Sequence, residues 1–315
     1  MLKLHTDIRF ASVILMNKVR IAPTPSGYLH IGNVLSFALT VALAEREQAN
    51  VLLRIDDMDQ QRANAAYVQD IFDTLNFLEL PWHEGPRNAQ EFATEWSQMH
   101  RMPLYHEVLS SLQQKGQLFA CNCSRSQIKA LSADESYPGT CCHKALEFDK
   151  AEVNWRMQTS PSAQVSVNTW QLKEQTITLP ASMQYFVVRK KDGHPAYQLS
   201  SVIDDLHFGI THIVRGVDLW ASTLAQLYLA QALPADAFSN VQFYHHDLIA
   251  GADGQKLSKS SGATSVKYLR EQGYKPGQVY QHIADSMQLR QPVANWQQLA
   301  EAFWSPKKVS VLLNS

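Results

Sequence analysis

The stretch from Asn33 to Glu47 (NVLSFALTVALAERE) is built of helix formers and is apolar almost all the way round. A helix without a polar face has nothing to present to water, so the rest of the fold must cover it. Its neighbours in sequence say how. Lys18–Ala22 is a short strand-like run before it. Val51–Ile55 is a second run after it, ending in a burst of acids at Asp56, Asp57 and Asp59. Strand, buried helix, strand is a βαβ unit, and the fold class it implies is α/β with the carboxylates at the C-terminal end of a parallel strand.

Further along, residues 63–79 and 100–116 carry the helical period on one face. From 118 to 185 the sequence turns polar and irregular, with a cysteine cluster and short β runs such as Val153–Met157. It reads as an insertion into the α/β domain. Phe186–Arg189 and Pro195–Leu199 flank Lys190-Lys-Asp-Gly193, which predicts a hairpin with a glycine turn. A strand at Thr211–Arg215, a helix at Leu219–Ala232 and a strand at Val241–Tyr244 restore the alternation, and the last 50 or so residues look helical. The expected organisation is therefore an α/β domain in two halves, 18–117 and 186–262, an insert at 118–185 and a helical C-terminal segment at 263–315.

Composition narrows the classes. The chain has 315 residues, enough for one large domain or two modest ones, and is 45% hydrophobic and 18% charged. Those values exclude low-complexity disorder and collagen. The longest apolar runs fall short of the roughly 18 residues a membrane helix needs, so no membrane partner is expected. Lys and Arg number 28 against 29 Asp and Glu, a net charge of −1, so any RNA contact must be a local basic patch. Phe10–Met16 is apolar but lacks an Ala-x-Ala-like site and leads straight into strand, so it is not read as a secretory signal, and Met16 is a second candidate start. All four cysteines lie between Cys121 and Cys142. That clustering points to a reducing cytoplasm and a metal.

Three segments carry chemistry. In Pro23-Thr-Pro-Ser-Gly-Tyr-Leu-His-Ile-Gly32 the prolines and glycines fix a tight connection between strand and helix. The helix N-terminus behind it is an anion site, with His30 placed to donate to a phosphate. In Gly254-Gln-Lys-Leu-Ser-Lys-Ser-Ser-Gly262 two lysines three apart are set to close over a polyphosphate and neutralise a departing pyrophosphate. Taken singly these would be an ordinary strand–helix turn and a solvated loop. The third segment is Cys121-Asn-Cys123 with Tyr137-Pro-Gly-Thr-Cys141-Cys142-His143. Three thiolates and one more donor make a tetrahedral zinc site, and Tyr137, Cys142 and His143 are all candidates for the fourth position. Free reduced cysteines are the alternative.

Together, His30-Ile-Gly-Asn33 and Lys256-Leu-Ser-Lys-Ser260 resemble the paired signature motifs of class I aminoacyl-tRNA synthetases. Arg20-Ile-Ala-Pro-Thr-Pro-Ser-Gly27 and Leu53-Arg-Ile-Asp-Asp-Met-Asp59 narrow the likeness to the glutamyl branch, over roughly 18 to 300. The resemblance implies a Rossmann-type catalytic domain, a zinc-bearing insert and activation of glutamate with ATP and Mg²⁺. It implies His30, Lys256 and Lys259 as catalytic residues, with His30, Gly32, Asn33 and Lys259 at ATP. Arg215, in Val214-Arg-Gly-Val-Asp218, would grip the substrate side-chain carboxylate, although a salt bridge to Asp218 or Asp205 is the plainer use. Glutaminyl enzymes lack that arginine, so it favours glutamate. Tyr197, Arg20, Ala22 and Thr24 would line the same pocket. Asp56 departs from the glutamyl pattern, which has glutamate there to hold the α-amino group; the charge is kept and the reach is one methylene shorter.

Cys-x-Cys followed by Tyr-x-x-x-Cys resembles the synthetases that glutamylate queuosine, and selects Cys121, Cys123, Tyr137 and Cys141 as zinc ligands. Few residues follow Ser260, too few for the helical domains that read an anticodon in full-length relatives. The expectation is a monomeric cytoplasmic enzyme that places glutamate on queuosine in the anticodon of tRNA(Asp). A minimal glutamyl-tRNA synthetase charging tRNA(Glu) and an inactive paralogue acting as a binding module are the alternatives.

Overall fold

The structure, a computed structural model, describes residues 16–132, 136–170, 174–234, 236–249 and 265–305. The chain runs β1 (Lys18–Ile21), α1 (Ile31–Arg46), β2 (Asn50–Leu53), α2 (Ala65–Phe77), the single turn α3 (Ala89–Glu91) and α4 (Met102–Gln114). There follow β3 (Leu118–Cys121), α5 (Arg125–Leu131), β4 (Asn154–Met157), β5 (Gln164–Thr169), β6 (Gln175–Thr178) and β7 (Val187–Arg189). Then come α6 (Tyr197–His207), β8 (His212–Gly216), α7 (Trp220–Gln231), β9 (Gln242–His246), α8 (Val266–Glu271), α9 (Pro276–Ser286) and α10 (Trp296–Phe303).

Internal packing divides this into two units. Of the described residues, one comprises Met16–His100, His212–Asp218 and those from His245 on; the other comprises those within Arg101–Thr211 and Leu219–Tyr244.

In the first unit β1 lies between β2 and β8, parallel to both, with Val19 level with Val51 and with His212. This is the βαβ arrangement expected from the opening sequence. Helix α1 buries Ile31, Val34, Leu35, Phe37, Leu39 and Leu43, and α9 and α10 pack against it. Each such side chain removed from water contributes roughly 1.5–3 kcal/mol, which is why a helix apolar all round is stable only here. Tyr280 of α9, 1% exposed, donates its hydroxyl to the carbonyl of Leu78 at 2.6 Å and ties the C-terminal helices to the end of α2.

In the second unit β3, β4 and β7 form an antiparallel sheet, Cys121 facing Asn154 and Phe119 facing Arg156. Strand β5 pairs antiparallel with β6 and parallel with β9. Helix α4 is held to α6 by a buried triad: Arg101 donates to Asp204 at 2.8 and 3.1 Å, and the Tyr105 hydroxyl adds a bond of 2.6 Å.

One arm of the expected hairpin differs. The turn forms, with Gly193 at φ +89° and Lys190 N–H bonded to the His194 carbonyl, but the return strand is a single bridge between Arg189 and Pro195. Residues from Tyr197 on enter α6 instead, because Leu199, Val202, Ile203 and Leu206 recur at the helical period and all become buried.

Candidate active site and metal centre

In the first unit the C-terminal ends of β1, β2 and β8 lie at one edge of parallel strands, the edge where such sheets take ligands. Past β1 the chain turns through Pro23. The amide of Arg54 donates to the Ile21 carbonyl and that of Asp56 to the Pro23 carbonyl, both at 2.9 Å, so Asp56 sits beside the turn carrying Ala22 and Thr24. Arg215 ends up at the same edge on β8. Arg20, Asp56 and Arg215 are 6%, 9% and 4% exposed.

A residue that the sequence reading missed organises this edge. Arg54, 2% exposed, grips Asp56 in a fork, Nε to Oδ1 at 2.7 Å and Nη2 to Oδ2 at 3.0 Å. Arg54 and Asp56 stand two apart just past the end of β2, so Arg-x-Asp was the legible signal. The next acids go elsewhere. Asp57 accepts from the Ser97 hydroxyl and the Gln98 amide and fixes a loop, and Asp59 pairs with Arg62 at the surface. His245 is a second missed residue. Burial, and then the Arg215 charge, push its pKa down to about 3, so it stays neutral beside the arginine. Tyr197 belongs to the second unit, where it opens α6 and is 42% exposed.

His30 is the N-cap of α1. Its Nδ1 accepts from the Gly32 amide at 3.1 Å, and its own amide donates to Asn33 Oδ1 at 3.0 Å, a reciprocal capping box. Because Nδ1 is an acceptor, the neutral ring carries its proton on Nε2, the tautomer needed to donate to a phosphate oxygen. A Cβ at Gly32 would meet the His30 ring at 3.0 Å, which explains the glycine. Gly32 and Asn33, expected at ATP, thus use these groups to hold His30.

The loop before His30 is clamped through Leu29, whose amide donates to Asp70 at 3.3 Å and whose carbonyl accepts from Val266 at 2.8 Å. Ser265 bridges His30. One turn into α1, Ser36 lies 2.6 Å from Nε2 of the buried His246. Lys256 and Lys259 lie outside the described residues.

The cysteine cluster assembles in the second unit. The sulfurs of Cys121, Cys123 and Cys141 all lie within 4.8 Å of one another, with Cys123 and Cys141 at 3.5 Å. Four ligands about 2.3 Å from a zinc ion stand roughly 3.8 Å apart, so the cluster matches a tetrahedral face. Tyr137 Oη is 3.3 Å from Cys121 Sγ and accepts from the Cys141 amide at 2.8 Å. It therefore lies against the Cys121 side of the cluster. Cys142 packs at the edge of the cluster, and His143 is exposed.

The electrostatics fit a cation. Burial and the neighbouring thiols push Cys123 up to about 11 and the Tyr137 hydroxyl well above its usual range. Burial also opposes ionisation of Cys121, but its bonds to Tyr137 and the Cys123 amide and the charge of Arg156 outweigh that and lower it.

Residues 16–286 match the catalytic domain of the class I tRNA synthetases of the E and Q type. The chain belongs to this family. The chain is 34% identical over 281 residues to the glutamyl-Q tRNA(Asp) synthetase of Symbiobacterium thermophilum, a match covering 84% of each chain. It is 32% identical over 279 residues to glutamate–tRNA ligase 2 of Nitrosococcus oceani, covering 85% of this chain and 58% of the ligase. It thus spans little more than half the length of that ligase. Its fold resembles the crystal structure of a glutamate tRNA ligase from Elizabethkingia meningosepticum in complex with its amino acid, with a TM-score of 0.71 at 21% identity over 91% of this chain and 64% of that one.

Proposed function

We propose that this synthetase activates glutamate with ATP and transfers it to queuosine in the anticodon of tRNA(Asp). The observation that carries the first half is the edge where Arg20, Asp56 and Arg215, all buried, lie at the C-terminal ends of parallel strands of the unit whose helix α1 is capped by His30. A dicarboxylic amino acid has the complementary charges. Its side-chain carboxylate goes to Arg215, a charge-assisted pair worth roughly 1.5–3 kcal/mol, with Arg20, Ala22 and Thr24 at the same strand edge. Its ammonium goes to Asp56, which Arg54 holds in place. His30 donates from Nε2 to the α-phosphate as the glutamate α-carboxylate attacks, and Lys256 and Lys259 neutralise the leaving pyrophosphate; Mg²⁺ bound with ATP would supply further positive charge there.

The second half is supported by the Cys121, Cys123, Tyr137 and Cys141 cluster and by the relative from Symbiobacterium thermophilum, named for that reaction. Those four residues would hold zinc, which supplies a structural cross-link to the segment. A monomeric cytoplasmic enzyme organised as 18–117, 118–185, 186–262 and 263–315 completes the reading; among the described residues no helix is long and apolar enough to cross a membrane.

The glutamate–tRNA ligase of Nitrosococcus oceani favours a second reading, charging of tRNA(Glu) at its 3′ end. Glutamate-dependent pyrophosphate exchange without tRNA tests activation. Labelled-glutamate incorporation into tRNA from cells with and without queuosine then separates the two acceptors. Equal incorporation into both would select the second reading.

A further inference from the structure

Next to the cysteine cluster lies a charged residue that neither the fold nor the aminoacylation chemistry accounts for. Arg156 stands in β4 opposite Phe119 and is 6% exposed. Its guanidinium carbon lies 3.8 Å from the centroid of the Tyr137 ring, and Nη1 donates to the Tyr185 carbonyl at 2.8 Å. Its Nε is buried with no hydrogen-bond partner. Tyr185 in turn packs edge-on against both Phe119 and Tyr137. A buried arginine held over an aromatic face with incomplete hydrogen bonding is an expensive feature, and neither of these two contacts is with a carboxylate.

The thiols supply the missing charge. Three thiolates around a divalent cation leave a net charge of −1 in a low-dielectric site, before the phenol oxygen adds its own electron density. A fixed cation at van der Waals distance from that phenol ring offsets this charge, and the ring face is the place where a cation is best received. The same stacking fixes the orientation of Tyr137 in its ring plane, and with it the direction of Oη toward Cys121 and the Cys141 amide.

We propose that Arg156 is the positioning and charge-balancing residue of the metal centre, making Tyr137 a competent fourth ligand and setting how tightly the site holds zinc. This rests on the metal reading given above. Groups in the shell behind metal ligands commonly change affinity by about 10–100-fold when removed. Cation–π pairs that only support packing would instead affect the protein equally with and without metal.

The test uses full-length protein in wild-type, Arg156→Gln and Arg156→Lys forms. Zinc affinity is measured by competition with a chromogenic chelator, and thermal unfolding is followed for the metal-free and zinc-loaded states. Cobalt(II) absorption reports the ligand set. The expected result is a 10–100-fold weaker zinc affinity in Arg156→Gln, partial recovery in Arg156→Lys and an altered cobalt spectrum, with the metal-free midpoints unchanged. Equal zinc affinity in all three proteins would overturn the inference. So would a fall in the metal-free midpoint of Arg156→Gln as large as that in the loaded one, which marks a packing role alone. A wild-type protein that takes up no zinc would remove the metal reading itself, and the inference with it.

Discussion

The edge of parallel strands around Asp56 and the cysteine cluster around Tyr137 both gather buried polar groups, but they finish the task differently. At the strand edge the charges of opposite sign are already in the chain: Arg54 closes on Asp56 through two bonds, and His30 is locked by the amides and side chain of its own helix. In the cluster the groups are of one kind, three thiols and a phenol, and burial with mutual proximity opposes charging Cys123 and Tyr137. The first region is preorganised by the fold. In the second, Arg156 brings one positive charge, and on the proposed metal reading a cation would supply the rest.

Metal removal should expose that difference most sharply. A ligand bound to the folded state alone stabilises it by about 4 kcal/mol at a thousandfold excess over its dissociation constant. Chelation should therefore raise amide exchange through 118–157 while leaving 18–57 protected. Uniform exchange in both regions after chelation would erase the distinction.

His30→Asn probes the other side. Asparagine is as good an N-cap as any residue, so stability should stay within about 0.5 kcal/mol. It lacks the Nε2 donor, and loss of one preorganised donor to a charged transition state costs about 10²–10³ in rate. A variant that exchanges pyrophosphate at wild-type speed would show that His30 is a cap and nothing else.

Arg215→Gln should raise KM for glutamate by a factor equivalent to about 1.5–3 kcal/mol and abolish the preference over glutamine, because only the charge tells them apart. Competition kinetics with both amino acids reads this directly, and an undiminished preference would move the role to Arg20.

The smallest effect is a pH slope. His245 has a folded pKa of about 3, below the ordinary value of 6.5, so between these limits the unfolded chain binds more protons. Stability should fall as pH drops from about 6.5 toward 3, by at most about 1.4 kcal/mol per pH unit from this one group. Denaturant titrations of His245→Gln across that window should show a shallower slope; an identical slope would mean that His245 is not held neutral.

What sequence could show follows the same division. The burial of α1 and its position between β1 and β2 were legible because local patterns alone decide them: an all-round apolar helix, a turn fixed by prolines, acids at a strand end. Tyr137 could be chosen over Cys142 and His143 only by resemblance, since the choice depends on how Tyr137 folds back over Phe119 and Cys121. Arg54 and His245 were missed because an arginine or histidine at or just past a strand looks like any half-polar position until its partner is placed. The return arm at Pro195–Leu199 was misread because five residues cannot distinguish the start of an amphipathic helix from a strand. Burial of Val202, Ile203 and Leu206 decides it further on.

The central claim concerns where glutamate is deposited. Queuosine-containing tRNA(Asp) incubated with the enzyme, ATP and labelled glutamate can be digested to nucleosides and the label located. The account predicts glutamate on the queuosine nucleoside, with the 3′-terminal adenosine unlabelled. Label on the terminal adenosine, with none on queuosine, would contradict it.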